Sequence, residues 1–495
     1  MLTFIVYFSV SNKIFNIINS KNYISNRSTK NFEVVISIYI AKIIDKLKNF
    51  VCCTKISKYL MKKMFTNKML QIIMSVVKLL NYLRTNQCTG SQFQGVIEHE
   101  RASSLDLSDL TFNQPVNENG VSCMALDPVE NKFLITAGQN RNIKIYNVLN
   151  EEKDSKGGRV FESIASFGHR TKHQKYLHKS TVSSVQWYPH DTGMFFTSSY
   201  DETICSWDTN RMKRAEKMRV KKQVYNIHVR PTCSNQPLIA AATSSNVNLI
   251  DLFSANFTHQ LTGHKEKVIA VRWSPTNEHL LASGSVDGQV LFWDVRRAGF
   301  PMKTLDKDTW IKSKSQKGRK RPYCGGFAHS GTVNSIRFTC DGRSLLTYGT
   351  DNTVRLWSTS TTELMPVNYG YNSNTFHSQT LCMDVHNGSQ DDSLLFVPGN
   401  AHVSVYNLHD GNKIKSLRGS IGQVKCCTYN PTTQDLYVTG RGPKILVYSP
   451  TTYPNLPTVI TSNFAENTSA SDNVVGNLLQ NNWSDSESDG QSDWL

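Results

Sequence analysis

Histidine and aspartate recur along this chain in one relation. His178 is followed by Asp201, His264 by Asp287 and His329 by Asp351. In each pair the His precedes an alternating apolar run, and the Asp sits in a later polar turn. A carboxylate that orients an imidazole is half of a general-base device. Three separate copies with no nucleophile in register argue against that use. A buried imidazole also needs a partner for its N–H, and a turn carboxylate can supply one. The pairs therefore read as structural.

Other chemistry is missing from the sequence. It contains no G-x-x-x-x-G-K-[ST], G-x-G-x-x-G, H-E-x-x-H or G-x-S-x-G. The 14 histidines are scattered rather than set at metal-ligand spacing. Eleven cysteines, an odd number with no C-x-x-C pair, suit a reducing compartment and disfavour a disulfide framework or a zinc ribbon. Cys426 and Cys427 are adjacent in an expected strand, where neighbours face opposite sides and cannot easily share a metal. The expectation is a chain with no cofactor and no catalysis of its own.

The pairs are carried by a repeated unit. Val182–Trp187 alternates, Met194–Ser199 follows with small residues, Tyr200 to Thr203 turns, and Ile204–Asp208 ends the unit. Val268–Trp273 and Val333–Phe338 open the same series again. Period-two alternation bounded by Gly, Asn and Asp is a strand-and-turn signal. Units end at Tyr146, Trp207, Ile250, Trp293, Trp357, Tyr406 and Tyr448. Three of the six spacings between these ends, 43, 43 and 42 residues, match the ~40–45 of a four-stranded propeller blade. Longer gaps fit insertions at 150–178 and 298–328. Trp207-Asp208 and Trp293-Asp294 keep a Trp-Asp dipeptide, and Gly263-His264 a Gly-His pair. The spacing predicts an all-β, seven-bladed WD-repeat β-propeller over 107–452, closed by a strand from about 107–116. Closure leaves few strand edges open, and the loops of a rigid ring are its recognition surface.

Charge divides the remainder. The formal balance is +16, from 55 Lys and Arg against 39 Asp and Glu. Residues 1–68 carry 12 basic residues against Glu33 and Asp45, with no Pro, no Gly and no sustained period. That extension reads as outside the fold, with initiation expected near Met64, Met69 or Met74. Residues 296–321 hold ten basic residues, among them Lys312, Lys314, Lys317, Arg319, Lys320 and Arg321. Such a loop is a solvated insertion or localisation signal, or alternatively an RNA or chromatin contact. The tail, 453–495, is acidic and reads as disordered. Ser484, Ser486 and Ser488 stand among acids there as candidate phosphorylation sites. No apolar run approaches the ~20 residues of a spanning helix, so no membrane anchor is expected.

Longer stretches are more specific. Val185-Gln186-Trp187-Tyr188-Pro189-His190-Asp191-Thr192-Gly193-Met194-Phe195, Trp207-Asp208-Thr209-Asn210, Leu291-Phe292-Trp293-Asp294-Val295-Arg296-Arg297-Ala298, Gly349-Thr350-Asp351-Asn352 and Val367-Asn368-Tyr369-Gly370 together resemble the Cockayne syndrome group A family. The resemblance runs from about residue 76 onward and is weakest in units three, six and seven. It implies a nuclear, non-catalytic substrate receptor of a cullin-RING ubiquitin ligase in transcription-coupled excision repair. Implied partners are the damaged-DNA-binding adaptor, the cullin and RING subunits, a Cockayne syndrome group B type ATPase and RNA polymerase II. Direct nucleic-acid binding is expected to be weak or absent.

Two adaptor contacts carry over residue by residue. An Arg two positions after the Trp-Asp pair meets the adaptor in such receptors, and here it is Arg296. Family members also dock a short helix-loop-helix, expected here within 74–106. Val76, Leu79, Leu80 and Leu83 form one apolar stripe on its first helix. Gln94–Ala102 is the expected second helix. A short isolated helix is marginal in water, so this stripe wants a groove.

Overall fold

In a computed structural model, residues 101–450 are described apart from 113–119, 154–158, 168–176, 233–236, 298–299, 309–325, 373–378 and 387–392. Residues 1–100 and 451–495 lie outside the described set. With them go Val76, Leu79, Leu80, Leu83, the basic residues of 312–321, and the tail serines.

The repeated units are antiparallel sheets arranged as seven blades of a WD-repeat β-propeller. Blade two shows the plan: Val182–Trp187 is innermost, then Met194–Ser199, Thr203–Asp208 and, outermost, Lys213–Arg219. Burial grades outward. The inner and middle strands are almost wholly buried, while the outer strand alternates with solvent. The inner strands of blades two, four and five share one burial pattern, in which only the residue before the last is partly open. Those residues are Gln186, Arg272 and Arg337. Blade five has three strands, with a bridge from Trp357 to Leu364 in place of an outer strand.

Apolar residues gather between blades. Phe167 of blade one packs with Phe195 and Trp207 of blade two. Trp273 and Trp293 of blade four pack on Leu249 and Leu261 of blade three. Comparable clusters fill every other junction, and the last joins Tyr437 and Val447 of blade seven to Val121 and Tyr146 of blade one. All seven expected unit ends, Tyr146, Trp207, Ile250, Trp293, Trp357, Tyr406 and Tyr448, are buried to 2 % exposure or less. Each blade thus buries its apolar faces on its neighbours, at about 25 cal/mol per Å² of apolar surface removed from water.

The end of the ring departs from simple repetition. One 17-residue strand, Lys413–Tyr429, serves two blades. Its first part pairs with Asn400–Asn407 as the outer strand of blade six, and its second part pairs with Leu436–Gly440 as the inner strand of blade seven. The closing strand is Leu105–Leu107, paired antiparallel with Ile445–Pro450. It meets the 107–116 segment expected from sequence only at Leu107. Thr111 and Phe112 instead pair in parallel with Val160 and Phe161, between the third strand of blade one and its outer strand, Ser163–Phe167. Residues 101–103 are helical, and Ala102 is fully buried against blade seven. The end of the expected second docking helix therefore packs on the propeller itself.

Candidate interaction site

Two blades contain the same buried hydrogen-bonded chain, and a third contains all of it but the last step. In blade two, Trp207 donates from Nε1 to Thr197 Oγ1 at 2.8 Å. That oxygen lies 2.8 Å from His178 Nε2, and His178 Nδ1 lies 3.2 Å from both oxygens of Asp201. Asp201 also accepts from the Lys179 amide at 2.7 Å and the Thr203 amide at 3.1 Å. In blade five the members are Trp357, Thr347, His329 and Asp351, at 2.9, 2.8 and 2.9 Å. In blade four Trp293, Ser283 and His264 are joined at 2.7 Å each, but His264 Nδ1 stands 3.6 Å from Asp287, beyond hydrogen-bond distance. The sequence revealed the His and Asp of each set. The hydroxyls of Thr197, Ser283 and Thr347, each ten residues before its tryptophan, do stand in register with the pairs, contrary to the sequence reading, but all three are fully buried and bonded to tryptophan, out of reach of a substrate.

The tetrads tie the entry of the inner strand, the middle strand, the polar turn and the third strand into one unit. Each turn takes its sharp bend at the residue after the Asp. Glu202, Gly288 and Asn352 all have φ between 61° and 79°. A glycine is required at 288, where a Cβ would stand 2.5 Å from the carbonyl oxygen of His329.

Charge differs among the tetrads. Burial is the largest single influence on His178 and pushes its pKa down, but the hydrogen bonds and charges of Asp201 and Cys205 together outweigh it and lift it to about 9. Burial also opposes the Asp201 carboxylate, yet His178, Thr203 and the Lys179 amide hold it well below the usual carboxylate range. His329 is lowered instead, because burial outweighs Asp351 and the Arg355 guanidinium adds repulsion. Arg355 pairs with Asp351 at 2.8 Å. In this arrangement the imidazoles serve packing and hydrogen bonding. Among the described residues, no group of three or more His, Cys, Asp or Glu is placed to hold a metal ion.

The third strand of blade four leads from its tetrad to the surface. Trp293 is buried, the next residue is Asp294, and the chain then turns. Asp294 accepts from the Arg296 amide at 3.0 Å, closing that turn. It also accepts both Nε and Nη2 of Arg296, at 3.0 and 2.9 Å. This is a two-pronged guanidinium–carboxylate pair, the strong form of such contacts. The Arg296 bond draws the Asp294 pKa below its ordinary value. The Arg296 side chain is 65 % exposed and that of Asp294 12 %. The buried tetrad thus fixes a carboxylate, and the carboxylate holds one arginine upright on the rim.

Equivalent turns in the neighbouring blades offer other residues. Asp208 of blade two caps the amides of Asn210 and Arg211 at 2.9 and 3.0 Å, and the Arg211 Nε stands 3.8 Å from it. In blade three Asp251 caps Phe253, whose ring is 80 % exposed. Phe300 and Met302 are exposed beyond Arg296. Arg211, Phe253 and Phe300 were not singled out in the sequence, because nothing local marks a side chain that will face outward. Among the described residues, these turns thus present Arg296 and Arg211 together with the exposed rings of Phe253 and Phe300. Exposed apolar groups rimmed by polar ones mark association surfaces.

The matching family model is that of the WD domain, G-beta repeat, over residues 170–208, 255–294 and 323–358. These stretches contain the three tetrads. The chain is 27 % identical over 424 residues to the Arabidopsis thaliana WD repeat-containing protein ATCSA-1, covering 74 % of this chain and 93 % of that one. It is 25 % identical over 212 residues to radiation-sensitive protein 28 of Saccharomyces cerevisiae, covering 38 % and 40 %. It is 26 % identical over 238 residues to a ribosome biogenesis protein WDR12 homolog of Anopheles gambiae, covering 46 % and 54 %. The matched stretches are WD repeats, and they carry the His, hydroxyl, Asp and Trp sets of blades two, four and five of the propeller.

Proposed function

We propose that the chain is the substrate-recognition subunit of a cullin-RING ubiquitin ligase acting in transcription-coupled nucleotide excision repair in the nucleus. A WD-repeat propeller is ordinarily an interaction scaffold, and the finer assignment rests on three supports. The first is the resemblance of the blade-two and blade-four stretches to the Cockayne syndrome group A family. The second is the similarity to ATCSA-1 over most of both chains. The third, which carries the reading, is Arg296, held by Asp294 at 2.9 Å and presented to solvent.

In this reading the rim of Arg296, with the stripe of Val76, Leu79, Leu80 and Leu83, binds the damaged-DNA-binding adaptor. The adaptor joins the cullin and RING subunits. The remaining rim takes the substrate, of the Cockayne syndrome group B ATPase type, beside stalled RNA polymerase II. The receptor supplies effective concentration and orientation, and other subunits transfer ubiquitin. Phosphorylation at Ser484, Ser486 or Ser488 would add about −1.5 to −2 charges each to the tail.

The test is adaptor pull-down with Arg296→Ala combined with Leu80→Asp. Loss of capture with unchanged circular dichroism and melting supports the assignment. Retained capture removes it. In the same preparations, tight RNA or DNA binding that falls steeply with salt would favour the basic-loop alternative at 312–321.

A further inference from the structure

Cysteines meet where blades six and seven join. Cys382 precedes the inner strand of blade six, Asp384–His386, and forms an isolated parallel bridge with Cys426 in the inner strand of blade seven. The Cys382 amide donates to the carbonyl of Lys425 at 3.0 Å, and the Cys427 amide donates to the carbonyl of Cys382 at 3.0 Å. Residues bridged in this way carry their side chains on the same side of the ladder, with strands about 4.8 Å apart. A disulfide accepts Cα separations of about 4.4–6.8 Å. Consistent with a shared side, Cys382 packs against the apolar cluster that contains Cys426. Cys427 faces the other way, its thiol against the carbonyls of Cys382 and Phe396 at 3.2 and 3.4 Å.

The two thiols are unequal. Cys382 is partly exposed and Cys426 is fully buried, 3.5 Å from the Ser122 carbonyl. A hydrogen bond from Cys426 favours the Cys382 thiolate against the cost of burial. The guanidiniums of Arg272 and Arg337 add to this, and Cys382 falls to about 7. Cys426 is raised, because it serves that bond as the donor and is buried.

We infer that Cys382 and Cys426 form a reversible peroxide-sensitive thiol pair, with Cys382 as the attacking sulfur and Cys426 as the resolving one. The Cys382 thiolate attacks hydrogen peroxide. An S–O bond forms, the O–O bond breaks, and the departing hydroxide takes a proton to become water. Cys382 is then a sulfenic acid. The Cys426 sulfur attacks it, the S–S bond forms, and the S–O bond breaks. The leaving hydroxide takes the Cys426 proton and departs as a second water. Two thiols are oxidised and one peroxide is reduced. The product ties blade six to blade seven at their inner ends.

The experiment uses the full reduced chain. It is treated with hydrogen peroxide, denatured in N-ethylmaleimide and mapped by mass spectrometry without reductant. The expected result is a Cys382–Cys426 linked peptide as the main product, lost on adding dithiothreitol. Oxidation confined to the exposed Cys340, or linkage of Cys382 to Cys123, overturns the proposal. In Cys426→Ser the expected result is a dimedone adduct on Cys382, and no such adduct on Cys426 in Cys382→Ser. The wild-type map decides the matter even where a variant fails to fold.

Discussion

Arg355 and His329 stand 2.6 Å apart, Nη1 to Nδ1, while the same guanidinium nitrogen lies 2.8 Å from Asp351. The carboxylate therefore has a permanent cation as its partner and does not need a charged imidazole. In blade two the residue two before the tryptophan is Cys205, and there His178 is Asp201's nearest cation. One architectural unit thus holds its histidine in two different charge states.

Removing Arg355 exposes this difference. Arg355→Leu should raise the His329 titration point, read by NMR of ring-labelled histidine. His329 is lowered in the fold, so the unfolded chain binds the extra proton and stability falls as pH drops below about 6.5. The variant should lose part of that acid sensitivity. It should also lose on the order of 1–3 kcal/mol at neutral pH, from an ion pair only 17 % and 12 % exposed on its two sides.

Blade two has the opposite sign. His178 is raised to about 9, so its contribution is complete below about 6.5 and fades as pH rises through about 9. Asp201, held low, loses its contribution only as pH falls below its ordinary value. Asp201→Asn should flatten the loss of melting temperature between pH 6.5 and pH 9. A buried pair that loses one member costs about 3–5 kcal/mol, so urea midpoints should drop clearly at pH 6.5.

The hydroxyl links can be tested without altering charge. Thr347→Val keeps the shape but leaves the Trp357 N–H and His329 Nε2 without their shared oxygen. The expected loss is about 1–3 kcal/mol for each buried group left unsatisfied, measured by urea denaturation. Thr347→Ser should recover most of it.

Gly288 joins two blades as well as turning one. Its carbonyl accepts from the amides of Ala328 and His329, both at 3.0 Å. Gly288→Ala places a methyl 2.5 Å from the His329 carbonyl and puts a side chain at φ +79°. Destabilisation beyond the ~1–2 kcal/mol of left-handed strain alone is expected, with hydrogen exchange rising first at the junction of blades four and five.

The tetrad blades were legible because apolar alternation, a turn Asp and a terminal Trp recur together in them. Blade six lacks the His-to-Trp set, and its outer strand runs without a break into blade seven, so periodicity blurs there. The closing strand was placed slightly late for a physical reason. Leu105–Leu107 is three residues long, with Leu107 53 % exposed, and carries almost no alternation of its own. Its partner, the Ile445–Pro450 edge, selects it. Arg296 could be singled out beforehand because it stands two positions after a Trp-Asp pair, where the family that the chain resembles carries its adaptor-binding arginine. Phe253 occupies the equivalent turn without one.

Closure by Leu105–Leu107 on Ile445–Pro450 also sets an order of events during synthesis. The strand made first waits for the strand made last, so the ring stays open until nearly all of the propeller has left the ribosome. Contacts this distant in sequence form slowly. A transcript truncated within blade seven would leave blade six's neighbour missing and two bare edges in an otherwise finished protein. Quality control would then meet an aggregation-prone crescent rather than a slightly shortened propeller.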